Sequence, residues 1–199
     1  MKHLLIETVQ RHVNLDADEQ RQLMKSFTLQ TVRRGELWLK EGEDTPYLAL
    51  VGSGCLYSYN LDEKGNQTPL QFATKWWWIT DLYAYLTCQK ATQSIKAIET
   101  SEIIVITRGE QEKLFEAIPK LERFFRIITE NALVSSRKRA LDFIHLDARQ
   151  RYLEFENKHR DLLQTLPQKL IAKYIGMTPE FLSKLRRELI EEERQNPKK

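Results

Sequence analysis

The chain has 199 residues, 41% hydrophobic and 30% charged, enough for one large domain or two modest ones with real cores. No apolar run approaches the roughly 20 residues that span a bilayer, and "MKHLLIETVQRH" is too polar for a signal-peptide core. Cys55 and Cys88 are too few for a disulfide framework or a four-thiolate site, so a cytoplasmic protein with no membrane partner is expected. The net charge of +3 sits at one end: residues 166–199 hold eight Lys/Arg against five Asp/Glu, whereas the first 165 hold 23 of each. That confinement favours a polyanion partner for the C-terminal segment.

In chain order, residues 2–26 read as helical, with Asp16 as N-cap of "ADEQRQLMKSF". From about 28 to 107 the runs "LQTV", "LWL", "YLALV", "CLYSYN", "TPLQF", "WWWI", "SIKAI" and "IIVI" are β-rich and separated by turn signals such as "RRGE" and "DEKGN". Short strands so closely spaced predict a sandwich or barrel, with a helical turn over "TDLYAYLT". Thr107 is an N-cap for "RGEQEKLFEAI", and Pro119 opens a long helix to about residue 145. Its stripe includes Leu121, Phe124, Phe125, Ile128, Ala132, Leu133, Leu141 and Ile144. A helix of about 40 Å beside a small β domain predicts packing against a second copy through Leu121, Phe125, Ile128 and Ala132. Asp147 caps "ARQRYLEFENK", which places a hinge near 145–147. The domains so defined are 1–118, a long helix and hinge at 119–146, and 147–199.

The segment from Gln168 to Leu189 fits two helices around a tight turn. Leu170, Ile171, Tyr174 and Ile175 form the buried stripe of the first, and Gly176 stops it in a left-handed conformation. Thr178 caps the second, with Pro179 at its first position. At 100° per residue Leu182, Leu185 and Leu189 share one face, and Glu180, Ser183, Lys184 and Arg187 the opposite one. Such an outward face at a helix N-terminus suits base reading in the major groove of double-stranded DNA. Lys169, Lys173, Thr178, Arg186 and Arg194 are candidates for phosphate contacts.

"LPQKLIAKYIGMTPEFLSKLRREL" resembles the helix-turn-helix of the cyclic AMP receptor protein / fumarate-nitrate reduction regulator family. "RRGELWLKEGEDTPYLALVGSGCLYSY", with Gly35, Gly42 and Gly54 at its turns, resembles that family's β-roll. The resemblance covers nearly the whole chain. It implies an α+β protein: an N-terminal β-roll of the cyclic-nucleotide-binding type (a double-stranded β-helix), a long dimerisation helix and a C-terminal helix-turn-helix domain. It further implies a homodimeric transcription regulator acting on a pseudo-palindromic site, with RNA polymerase as a candidate partner. Glu180, Ser183 and Lys184 fall on the family's "E-x-x-S-R" readers. Lys184 replaces the usual Arg, so a bidentate fork becomes a single-point donor.

In nucleotide-binding members a Gly-Glu pair holds the ribose and an Arg-Ser pair the phosphate. Here those positions are Thr80-Asp81 and Ala91-Thr92, so the phosphate-neutralising guanidinium is missing and cyclic AMP is not expected to bind. Ser136, with Ser135, lies near where relatives contact the base. The run Trp76-Trp77-Trp78, read as a strand, places Trp77 opposite its neighbours and suggests an aromatic pocket or core filling. His3, His12, His145 and His159 all lie outside the β region, so no metal site is expected there. Cys88 is a candidate reactive thiol. With no nucleophile–base constellation, the chain is not expected to be an enzyme; no cofactor is implied and the effector is unknown. Two other readings stand beside the regulator. In one, the C-terminal hairpin of a ligand-binding module binds protein, as "EEE" at 191–193 and the unreadable wing after the second helix suggest. In the other, a DNA reader carries a vestigial sensor.

Overall fold

The computed structural model describes every residue except 46, 161 and 196–199, and the side chains of residues 2 and 193 also fall outside what is described. The chain divides into two compact units, Met1–Ala132 and Leu133–Lys199.

The first unit opens with α1 (Lys2–Gln10) and α2 (Ala17–Ser26). Asp16 starts α2 through a full capping box: its carboxylate accepts from the N–H groups of Asp18 and Glu19, and Glu19 returns to the Asp16 N–H at 2.8 Å. Six strands follow: β1 (Thr28–Val32), β2 (Leu37–Leu39), β3 (Tyr47–Ser53), β4 (Leu56–Leu61), β5 (Gln67–Ala73) and β6 (Trp78–Ile79). Then come α3 (Leu82–Thr87), β7 (Ser94–Ala97), β8 (Ser101–Thr107) and α4 (Arg108–Ala117), which Thr107 caps by accepting from the Glu110 N–H.

The strands form two four-stranded antiparallel sheets, ordered β1-β8-β3-β6 and β2-β7-β4-β5. Alternation along β3 and β8 explains their unbroken apolar runs, because both faces of the first sheet are covered. Ala49 and Val51, opposite Val105 and Ile103, face the interior of the roll with Leu56 and Ile95. Leu48 and Leu50, opposite Ile106 and Ile104, face a second core built with α1, α2, α4 and the start of α5 (Leu121–His145). Full burial of each such side chain contributes about 1.5–3 kcal/mol. Gly54 turns β3 into β4 at φ +79, and a Cβ there would stand 2.6 Å from the Thr100 carbonyl oxygen.

Two expectations change. The Trp run is not one strand, since only Trp78 enters β6. Trp76 sits in a turn at φ 77, closed by Trp76 N–H to Val51 O at 3.0 Å and Val51 N–H to Trp77 O at 2.9 Å. The expected sidedness survives: Trp76 and Trp78 pack on the second core, and Trp77 is exposed. The proposed dimer seam is also redistributed. Leu121 and Phe125 are buried in this chain's own core, Ile128 packs partly buried against it, and only Ala132 is exposed. These four share one helical face, and that face is needed to cover the outer side of β3 and β8. Leu133, Val134, Leu141, Phe143 and Ile144 are the large apolar residues that α5 leaves exposed.

The second unit holds the rest of α5, then α6 (Ala148–Lys158), α7 (Leu162–Thr165), α8 (Gln168–Ile175) and α9 (Pro179–Gln195). Asp147 caps α6 with a capping box to Gln150, as its sequence predicts. Helical backbone breaks at Leu146 and Asp147. No helix among the described residues is long and apolar enough to cross a membrane.

Candidate nucleic-acid interface and sensor cassette

Gly176 ends α8 at φ 80, and the N–H groups of Gly176 and Met177 close the last turn on Lys173 O and Ala172 O. Thr178 restarts the chain: its hydroxyl accepts from the Phe181 N–H at 3.2 Å, and Leu182 N–H bonds Thr178 O at 3.0 Å. Fully buried Ala172 belongs to the α8 face on which Ile171 and Ile175 are also buried. On α9, Leu182 and Leu185 are buried, while Leu189 is half-buried.

The outward face is largely as the sequence predicts. Glu180, Lys184 and Arg187 are exposed, and Lys184 stands 3.7 Å from Glu188, one turn further along. Ser183 is half-buried, its hydroxyl donating to Pro179 O at 2.9 Å, with Gln168 Oε1 at 3.4 Å. Among the phosphate candidates Lys169, Thr178 and Arg194 are exposed and Lys173 is half-buried. Arg186 is half-buried on the flank of α9, where its charge bears on the Tyr152 hydroxyl, away from the outward face.

Three residues from outside α8 and α9 fix the turn. Arg151 donates through Nε to Ile175 O at 2.8 Å and through Nη1 to Leu146 O at 2.6 Å. Arg139 stacks 4.1 Å over the Tyr174 ring and donates to Tyr174 O at 3.4 Å, with burial pushing its guanidinium pKa down. Phe143 lies against Gly176. Together they attach the end of α5 and the start of α6 to the turn that aims α9. Among the described residues no wing strand follows: α9 runs on to Gln195, and Glu192 holds Arg149 of α6 in a two-pronged ion pair, one prong at 2.9 Å.

The cassette positions in the first unit are also arranged, but inwardly satisfied. Asp81 is fully buried. Its carboxylate accepts from Thr92 N–H at 2.6 Å, Thr92 Oγ1 at 2.9 Å and Ala84 N–H at 3.2 Å, the last capping α3. Thr80 donates to Tyr47 O at 2.7 Å, and the buried Ala91 donates its N–H to Glu43 O at 2.7 Å. Both donors of Thr92 are therefore taken up by the Asp81 side chain. Of the two lysines near in sequence, Lys90 is exposed 4.0 Å from Asp44, and Lys96 is half-buried in β7. Ser136 is exposed on α5 in the second unit. Cys88 is exposed at the left-handed C-cap of α3, whereas burial pushes the Cys55 thiol up to about 12. No cluster of three or more metal-ligating side chains occurs among the described residues.

A β-roll, a long helix and a C-terminal helical hairpin follow one another in this order, and several solved structures share this fold. The fold is similar to FixK2 from Bradyrhizobium japonicum, at 18% identity over 83% of this chain and 85% of that one, with a TM-score of 0.69. It is similar to the c-di-GMP responsive global regulator CLP of Xanthomonas campestris, at 11% identity over 89% and 93%, with a TM-score of 0.70. A protein assigned to the Crp/Fnr family as a transcriptional regulator, from Eubacterium rectale, matches at 14% identity over 89% and 85%, with a TM-score of 0.68. At such identities the likeness is one of fold. No protein-family model and no curated protein matches the sequence.

Proposed function

We propose that the chain is a sequence-specific DNA-binding transcription regulator that acts as a homodimer. The observation that carries this reading is the two-sided α9 behind the Gly176 turn: Leu182 and Leu185 are buried, while Glu180, Lys184 and Arg187 stand exposed opposite them. Glu180 accepts from cytosine N4, Lys184 and Arg187 donate to guanine acceptors, and Ser183 swings from Pro179 O to reach a base edge. Lys169 and Lys173 contact phosphates and set the salt dependence. The dimer forms along α5 through Ile127, Val134 and Leu141, which recur at heptad spacing, with exposed Ile144 extending the seam. Two copies related by a two-fold axis read a pseudo-palindrome in the cytoplasm, where RNA polymerase is the partner a regulator would contact. Selection from random duplex DNA tests this: half-sites about one helical turn apart are expected, and the recovery of no enriched sequence at moderate salt contradicts it.

The first unit does not use its cassette for a cyclic nucleotide. Supporting this, Asp81 already takes both donors of Thr92, and a phosphate brought there would meet a buried carboxylate without a compensating cation. Calorimetric titration with cyclic AMP at millimolar concentration should give no binding heat; saturable binding would overturn this part.

A further inference from the structure

A cavity of about 500 Å³ opens in the first unit, bounded by β6, α3, α4 and the first half of α5. Its volume is in the range of small-molecule sites, about 300–1,000 Å³. Trp78, Leu82, Phe115, Phe125 and Ile128 supply an apolar, largely aromatic wall. Of the cassette positions only Thr80 reaches it; Asp81, Ala91 and Thr92 do not.

The charges around it select against anions. Arg108 is paired with Glu112 at 2.5 Å and Arg126 with Glu130 at 2.6 Å, and Glu122 adds a further carboxylate to the lining. Each arginine in the wall already has its counter-ion, so a phosphate would arrive against a net negative rim. The Gln111 side chain on this wall is already engaged, its carbonyl accepting from Tyr85 Oη at 3.1 Å and Arg108 Nη1 at 3.0 Å.

We infer that this cavity binds an uncharged small molecule with an apolar ring body, seated against the Trp78–Phe125 wall. The site lies in the first unit and stands or falls separately from DNA reading.

Titration of the full chain with Prodan, an uncharged naphthyl ketone, tests it. The expected result is saturable, blue-shifted fluorescence at one site per chain. Leu86→Arg, at an exposed lining position of α3 that tolerates charge, should abolish binding without moving the thermal transition. Thr129→Trp fills the cavity from α5 and should do the same. Absence of saturable binding would overturn the site, as would parent-like affinity in both variants. Equal binding of an anionic naphthalene sulfonate would overturn its charge selectivity. Loss of Prodan binding as the protein self-associates would show that a second copy occupies the cavity.

Discussion

The ring of Phe143 stands against Gly176, its Cε1 only 2.6 Å from the place a Cβ would take. Helix α9 is thus aimed by a glycine that needs a left-handed backbone and leaves room for a ring from α5. Gly176→Ala should cost about 1–3 kcal/mol, because an L-residue is strained at φ +80 and the ring must move. The check is a fall in the melting temperature of the second unit together with weaker DNA binding. An unchanged melt would show that the turn relaxes freely.

Asp81 is the corresponding keystone of the first unit. Asp81→Asn replaces a carboxylate that accepts three hydrogen bonds with an amide that also presents donors, and should destabilise the roll by about 1.5–3 kcal/mol. Thermal unfolding read by near-ultraviolet circular dichroism would register it.

His159 gives the second unit a pH dependence of defined sign. It is buried against Phe155, and burial, then the charge of Lys158, push its pKa down from 6.5 to about 4. The unfolded chain therefore binds the extra proton between these values. The associated stability is complete above about pH 6.5 and is lost as pH falls toward 4. Melts between pH 7 and 4.5 should show this loss in the parent, and a shallower one in His159→Gln.

The exposed apolar residues of α5 predict the oligomeric state. Leu141→Lys removes an exposed side chain at heptad spacing from Val134 and places a charge in the seam. Sedimentation should find a dimer for the parent and a monomer for the variant at micromolar concentration. A monomeric parent would contradict the proposed seam.

Much of this architecture is legible locally. Asp16, Thr107, Asp147 and Thr178 cap helices by bonds within three residues, so the sequence around each suffices to place them. The faces of α9 follow from period alone. What was not legible depends on distant partners. The stripe of α5 marks Leu121 and Phe125 as buried, but periodicity does not distinguish a chain's own core from a second copy. "IEEERQ" extends α9 because Glu192 meets Arg149 on another helix. The exchange of Thr92's donors to Asp81 depends on how the loop after α3 returns, and the Trp78 cavity draws its walls from separate strands and helices. Trp76 favours a strand by composition, yet closes a turn with Val51.

The most direct test compares binding of one selected duplex and a scrambled duplex at about 0.15 M salt, for the parent and two variants. The parent should prefer its site by at least about 10³-fold. Lys184→Ala should lower that preference by about 1–3 kcal/mol at a single base pair. Lys173→Ala should weaken both duplexes alike and reduce the salt slope by about one. Equal affinity of the parent for the two duplexes, or a preference that Glu180→Ala with Lys184→Ala leaves intact, would contradict base reading by α9.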